Sequence, residues 1–86
     1  MNAADIERAL AAALAPSRIE VQDDSHLHAG HAGAREGRHY TVVIEAEAFA
    51  GLARVRRHRL VYDALGPLSA AGIHALAIVA RAPGEA

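Results

Sequence analysis

The apolar positions of this chain follow two periods in succession. Ile6, Leu10, Ala13 and Leu14 recur at helical spacing behind Asn2 and Asp5, either of which can cap the N-terminus, and Pro16 closes the segment. Ile19 and Val21 then alternate with Glu20 and Gln22, which predicts a half-buried strand running from Ile19 to Ser25 through Asp23-Asp24. Arg38 to Ala46, RHYTVVIEA, alternates more strongly, with Tyr40, Val42 and Ile44 on one side. As near neighbours, the two strands are expected to pair antiparallel. Between them Ser25–Gly37, SHLHAGHAGAREG, has no usable period. Loops of this length in a small domain are often functional, and its glycines predict mobility in the free protein.

Beyond Ala46, Phe49-Ala50-Gly51 reads as a turn or short helical piece, and Arg54–Leu68 reads as a helix. At 100° per residue Val61, Ala64, Leu65 and Leu68 share one face. Arg56, Arg59 and Asp63 fall opposite, in solvent. His58 and Tyr62 lie on one flank of the apolar stripe. Arg57 lies on the other, where its stem can pack while its guanidinium reaches water. Gly66-Pro67 stops the helix. Ile73–Ala80, IHALAIVA, is a nearly continuous apolar strand, and strand, helical crossover, strand predicts parallel pairing with a right-handed connection. Arg81–Ala86, with Pro83 and Gly84, is expected to fray. The pattern is α-β-β-α-α-β: a single α+β domain over residues 1–86, with a mixed three-stranded sheet and helices on one face.

Composition narrows this picture. Of 86 residues 52% are hydrophobic, yet 22 are alanine, so the larger apolar side chains suffice for one sheet covered on one face and not also for a deep substrate cavity. The formal net charge of −1 neither requires nor excludes nucleic acid. All nine basic residues are arginine, four of them within Arg54–Arg59. The absence of cysteine excludes disulfides, thiol catalysis and a self-contained thiolate metal site. No apolar run reaches membrane-spanning length, and helical patterning starts within a few residues of Met1, so the expected compartment is the cytoplasm. No Ser/His/Asp set, phosphate-binding glycine loop or carboxylate pair suggests catalysis.

Six histidines are the anomaly. His26, His28 and His31 form an H-x-H-x-x-H cluster able to chelate a metal weakly by itself, or else simply solvated in a surface loop. His39 opens the second strand, and His58 borders the packed helix face beside Tyr62. His74 shares strand parity with Leu76 and Ile78, the signature of a histidine at the edge of the core. Arg54, Arg56 and Arg59 are either a solvated helix face or a phosphate-binding one.

These motifs together resemble the BolA family. The likeness rests on IEVQDDSHLHAGH (Ile19–His31), on F-A-G followed by V-R-R-H-R-L-V-Y (Phe49–Tyr62), and on I-H-A-L-A-I (Ile73–Ile78), and it covers nearly the whole chain. The resemblance implies an α-β-β-α-α-β fold like one class of KH domain. It also implies a heterodimer with a monothiol glutaredoxin that holds a bridging [2Fe–2S] cluster, with thiolates from the glutaredoxin cysteine and glutathione. Here the H-A-L histidine, His74, would be a ligand, with a second from the loop. His28 fits best, which makes this the histidine-type variant, and His26 and His31 are its competitors. Members of the family are also described as transcriptional regulators that bind DNA, for which Arg54, Arg56 and Arg59 are the candidates here. No membrane association is implied, and the free chain is expected as a monomer or weak dimer. Three features depart from the family. Gly51-Leu52-Ala53-Arg54 keeps only the first glycine of the KH G-x-x-G loop, Arg38 replaces the usual serine before the second-strand histidine, and the tail is too short for a final helix.

Overall fold

The computed structural model describes residues 1–25 and 38–85. The predicted mobility of the Ser25–Gly37 loop and the positions of His26, His28 and His31 fall on residues outside the described ones. The first helix, α1 (Ala3–Leu14), starts at Asn2, whose Oδ1 accepts the Asp5 N–H (2.9 Å) while Asp5 Oδ2 accepts the Asn2 N–H (3.0 Å). Both candidate caps therefore act, as the two halves of one capping box. That arrangement holds the Asp5 carboxyl below its usual value, the Asn2 backbone bond first and Arg8 after it. Of the periodic positions, Ile6 and Leu10 are fully buried and Leu14 half-buried, while Ala13 stays exposed.

Strand β1 (Arg18–Asp23) pairs antiparallel with β2 (Arg38–Glu45), and β2 pairs parallel with β3 (Ile73–Arg81), in the order β1-β2-β3. The crossover is the helix α2 (Arg54–Leu65). Of the two middle helices expected, the first is only a single 3-10 turn, Glu47–Phe49, and it drives Phe49 fully into the core. α1 and α2 cover one face of the sheet. Tyr40, Val42 and Ile44 on that face are buried together with Ile6, Leu10, Phe49, Val61 and Leu65. Each such side chain contributes about 1.5–3 kcal/mol before chain entropy is counted, which makes this cluster the main source of stability.

Two boundaries differ from expectation, each for a local reason. α2 ends at Leu65 rather than Leu68, because Gly66 adopts φ 75° and its N–H bonds Tyr62 O (2.9 Å). Leu68 still reaches the core from the following turn. Residues 81–85, expected as a loose tail, are packed: Arg81 belongs to β3, Ala82 is 6% exposed, and Glu85 is tied back by side-chain bonds.

Candidate functional site

At the start of β3 the ladder slips by one residue. Arg38 faces Ile73, but His39 faces Ala75, so His74 is an extra residue in the edge strand. Parity therefore fails at this position. His74 shares its parity with Leu76 and Ile78 in the sequence, yet they are half-buried against the core and it is exposed. Its ring instead meets that of His39, with centroids 5.0 Å apart and planes tilted by 50°. Bulges re-aim side chains in this way, and here the result is an imidazole held by a strand but available to solvent.

The mouth of the 26–37 segment is fastened to the same place. The His39 N–H donates to Ser25 Oγ (3.2 Å), and the Asp24 N–H donates to His39 O (2.8 Å). Asp23 accepts from the Ser25 N–H (2.9 Å) and pairs with Arg38 (3.3 Å), while Asp24 accepts from the Thr41 hydroxyl. Asp23-Asp24 thus stitches the strand ends together, with Asp23 still exposed. The segment carrying His26, His28 and His31 leaves at Ser25 and returns at Arg38, beside the His39–His74 pair. Among the described residues, no group of three or more His, Asp or Glu side chains converges as a metal site. Two imidazoles without a thiolate make at most part of an iron–sulfur ligand set.

His39 was visible in the sequence only as the residue that opens β2. What brings it to His74 is the slip itself: with Arg38 opposite Ile73 and His39 opposite Ala75, the extra residue His74 sets its ring beside that of His39. His58 is half-buried near the start of α2, and Tyr62 is 40% exposed.

The structure distributes the arginine cluster around the helix. Arg54 lines a groove between α2 and β3. Arg56 and Arg59 line a separate surface with Val55, Leu60 and Asp63. The three do not share one groove, since positions 54 and 56 lie about 200° apart around a helix. Arg57 departs from expectation more sharply, because its guanidinium does not reach out to water. Its side chain is 13% exposed, Nε donates to Leu52 O (2.8 Å), Nη1 to Ala80 O (3.1 Å), and both terminal nitrogens clamp the Glu85 carboxylate, Nη2 at 2.7 Å. Glu85 Oε1 also accepts the Ala82 N–H (3.0 Å). Arg57 pulls the Glu85 carboxyl down to about 2, the Ala82 bond adding to the effect, and Arg57 is itself raised. The fork-on-fork geometry explains why an arginine is needed here.

Comparison with known proteins places this architecture. The family model described as BolA-like protein matches residues 10–85. A Sinorhizobium protein known by its position in the cobS 5′ region is 47% identical over 83 residues, covering 93% of this chain and 89% of that protein. SufE-like protein 1 of Arabidopsis thaliana, whose name places it in chloroplasts and mitochondria, is 45% identical over 84% of this chain, which spans only 21% of that protein's length. The structure of its BolA domain superposes with a TM-score of 0.83 at 43% identity, covering 98% of this chain and 94% of the domain. The Escherichia coli protein named DNA-binding transcriptional regulator BolA is 37% identical, over 85% of this chain and 68% of the regulator. No helix among the described residues is long and apolar enough to cross a membrane.

Proposed function

Because this chain belongs to the BolA family, we propose that it is a non-enzymatic partner of a monothiol glutaredoxin and helps to coordinate a bridging [2Fe–2S] cluster in iron–sulfur handling or iron regulation. The observation that carries the reading is the exposed imidazole of His74, set beside His39 at the foot of the segment that bears His28. His74 is the first ligand and His28 the second, with His26 and His31 as its competitors. His39 holds the His74 ring from the side. Such a cluster supplies redox-active iron whose potential rises when histidine replaces cysteine on one iron. The chain's own contribution is to present the His74 imidazole at the end of the sheet, while glutaredoxin and glutathione bring the thiolates that this cysteine-free sequence lacks. A cytoplasmic setting, where thiols stay reduced, belongs to the same proposal. The test is visible-region circular dichroism of the chain mixed with a monothiol glutaredoxin, glutathione, iron and sulfide. His74→Ala should abolish the histidine-dependent bands and His28→Ala should weaken them. An unchanged spectrum in His74→Ala would overturn the assignment.

The name of the Escherichia coli relative favours a second reading, a nucleic-acid-binding regulator that uses Arg54, Arg56 and Arg59. All three are exposed on α2. Salt-dependent affinity for duplex DNA that falls when these arginines are reversed to glutamate would support it.

A further inference from the structure

At the far end of β3 from the histidines, an open groove of about 600 Å³ lies between the N-terminal turn of α2 and the strand's outer side. Four consecutive strand residues, Ile78 to Arg81, line it, so it runs along the strand. β3 is an edge strand. The Ala46 N–H donates to Arg81 O (3.0 Å), which turns the backbone groups of Arg81 toward β2. By the two-residue alternation of a strand, those of Leu76, Ile78 and Ala80 point outward. Ala80 O confirms the direction, because it accepts from Arg57 Nη1. Ala80 O is thereby already bonded, and the edge is offered by the outward backbone groups of Leu76 and Ile78, together with the exposed side chain of Val79 (36%).

Its charge is one-sided. Arg54, Arg57 and Arg81 line it against the single carboxylate of Glu85. α2 begins there with no acidic residue in its first turn and no side-chain cap, so the positive end of the helix dipole is not offset locally. The chain also shows which chemistry the groove accepts: its own C-terminal segment folds back and places a carboxylate, bidentate, on Arg57. Arg54 and Arg81 are exposed beside that contact, and neither figures in an ion pair among the described residues.

We propose that this groove docks an extended acidic segment of a partner protein, which adds to the outer edge of β3 as a fourth strand and places its carboxylates against Arg54 and Arg81. Backbone pairing at Leu76 and Ile78 supplies the binding mode, and acidic side chains on either side of the added strand supply the selectivity. A nucleic-acid strand fits less well. The groove has no Phe, Tyr or Trp in its lining for base stacking, its most enclosed guanidinium is already committed to a carboxylate, and Gly51-Leu52-Ala53-Arg54 lacks the second glycine needed for close backbone approach to phosphates. The inference does not depend on the cluster reading, which concerns the opposite end of the strand.

The test titrates the full chain with a fluorescent peptide of alternating valine and glutamate, read by anisotropy, with amide hydrogen exchange followed in parallel. A valine–lysine peptide and a thymidine oligonucleotide serve as competing probes. Saturable binding of the acidic peptide, slowed exchange at the Leu76 and Ile78 amides, and a loss of affinity of about tenfold or more in the Arg54→Glu, Arg81→Glu double variant would support the proposal. Both positions are exposed, and an unchanged melting temperature checks that the variant is folded; Arg81→Gln alone gives a milder form with the same sign. Equal binding of the lysine peptide, binding of the oligonucleotide in place of the acidic peptide, or binding that leaves those two amides exchanging as before would each overturn it.

Discussion

The two ends of β3 treat their polar side chains in opposite ways. At the last residues Arg57 satisfies the carbonyls of Leu52 and Ala80 and binds Glu85 through two oxygens, so one guanidinium joins the approach to α2, the edge strand and the tail. Phe49 lies fully buried in the turn that follows β2. At the first residues a bulge turns His74 out into solvent, and what it meets there is another imidazole. Polar groups that hold a fold together are bonded within it. Under the cluster proposal His74 is a ligand, which has to be kept in place yet left uncommitted, and a bulge in an edge strand does both.

The strongest way to break this contrast is at the bolted end. Phe49→Ala should lower stability by about 3–5 kcal/mol, measured by urea unfolding, because a fully buried aromatic leaves a cavity that the turn cannot close. Next in size, Arg57→Met should lower the melting temperature clearly more than any exposed substitution. It keeps the packed stem and leaves two carbonyls and a carboxylate without their partner. A melting curve matching the wild type would mean that Arg57 is an ordinary surface arginine. His58→Ala should cost about 1 kcal/mol, since the ring is half-buried at the edge of the packed helix. Loss of partner binding at unchanged stability would move His58 into the functional set.

The Glu85 clamp gives the contrast a pH signature. Its carboxyl titrates at about 2 when folded, against an ordinary 4.5. A depressed folded value means that the contribution is complete above the unfolded value and is lost as pH falls from about 4.5 toward about 2. Glu85→Gln should remove that part of the acid sensitivity, seen as a smaller shift of the urea midpoint across the window. At the other end His74→Ala should change stability by no more than about 0.5 kcal/mol, as exposed substitutions do, while removing the histidine-dependent spectrum of the glutaredoxin mixture. A large loss of stability there would show that His74 is structural and would erase the difference between the two ends.

Much of this organisation is legible along the chain. The alternation of Tyr40, Val42 and Ile44, the helical spacing of Ile6 and Leu10, and Gly66-Pro67 place the strands, the helices and the covered face, because burial on one side imposes a period that propensity and capping then sharpen. The six histidines single out imidazole chemistry, and under the cluster proposal the missing cysteine leaves the sulfur to a partner.

What periodicity could not convey is anything set by one extra residue or by a contact between distant segments. Parity put His74 at the edge of the core, and a single-residue slip in a parallel ladder moved it into solvent beside His39. Composition made Arg57 one of four similar arginines and made Glu85 part of a fraying tail, although the two are each other's partners across 28 positions of sequence. Local pattern determines which residues are apolar together, because hydrophobic burial follows a short period. Which polar group is bonded and which is left open depends on register and chain crossing, and only the folded sheet decides those.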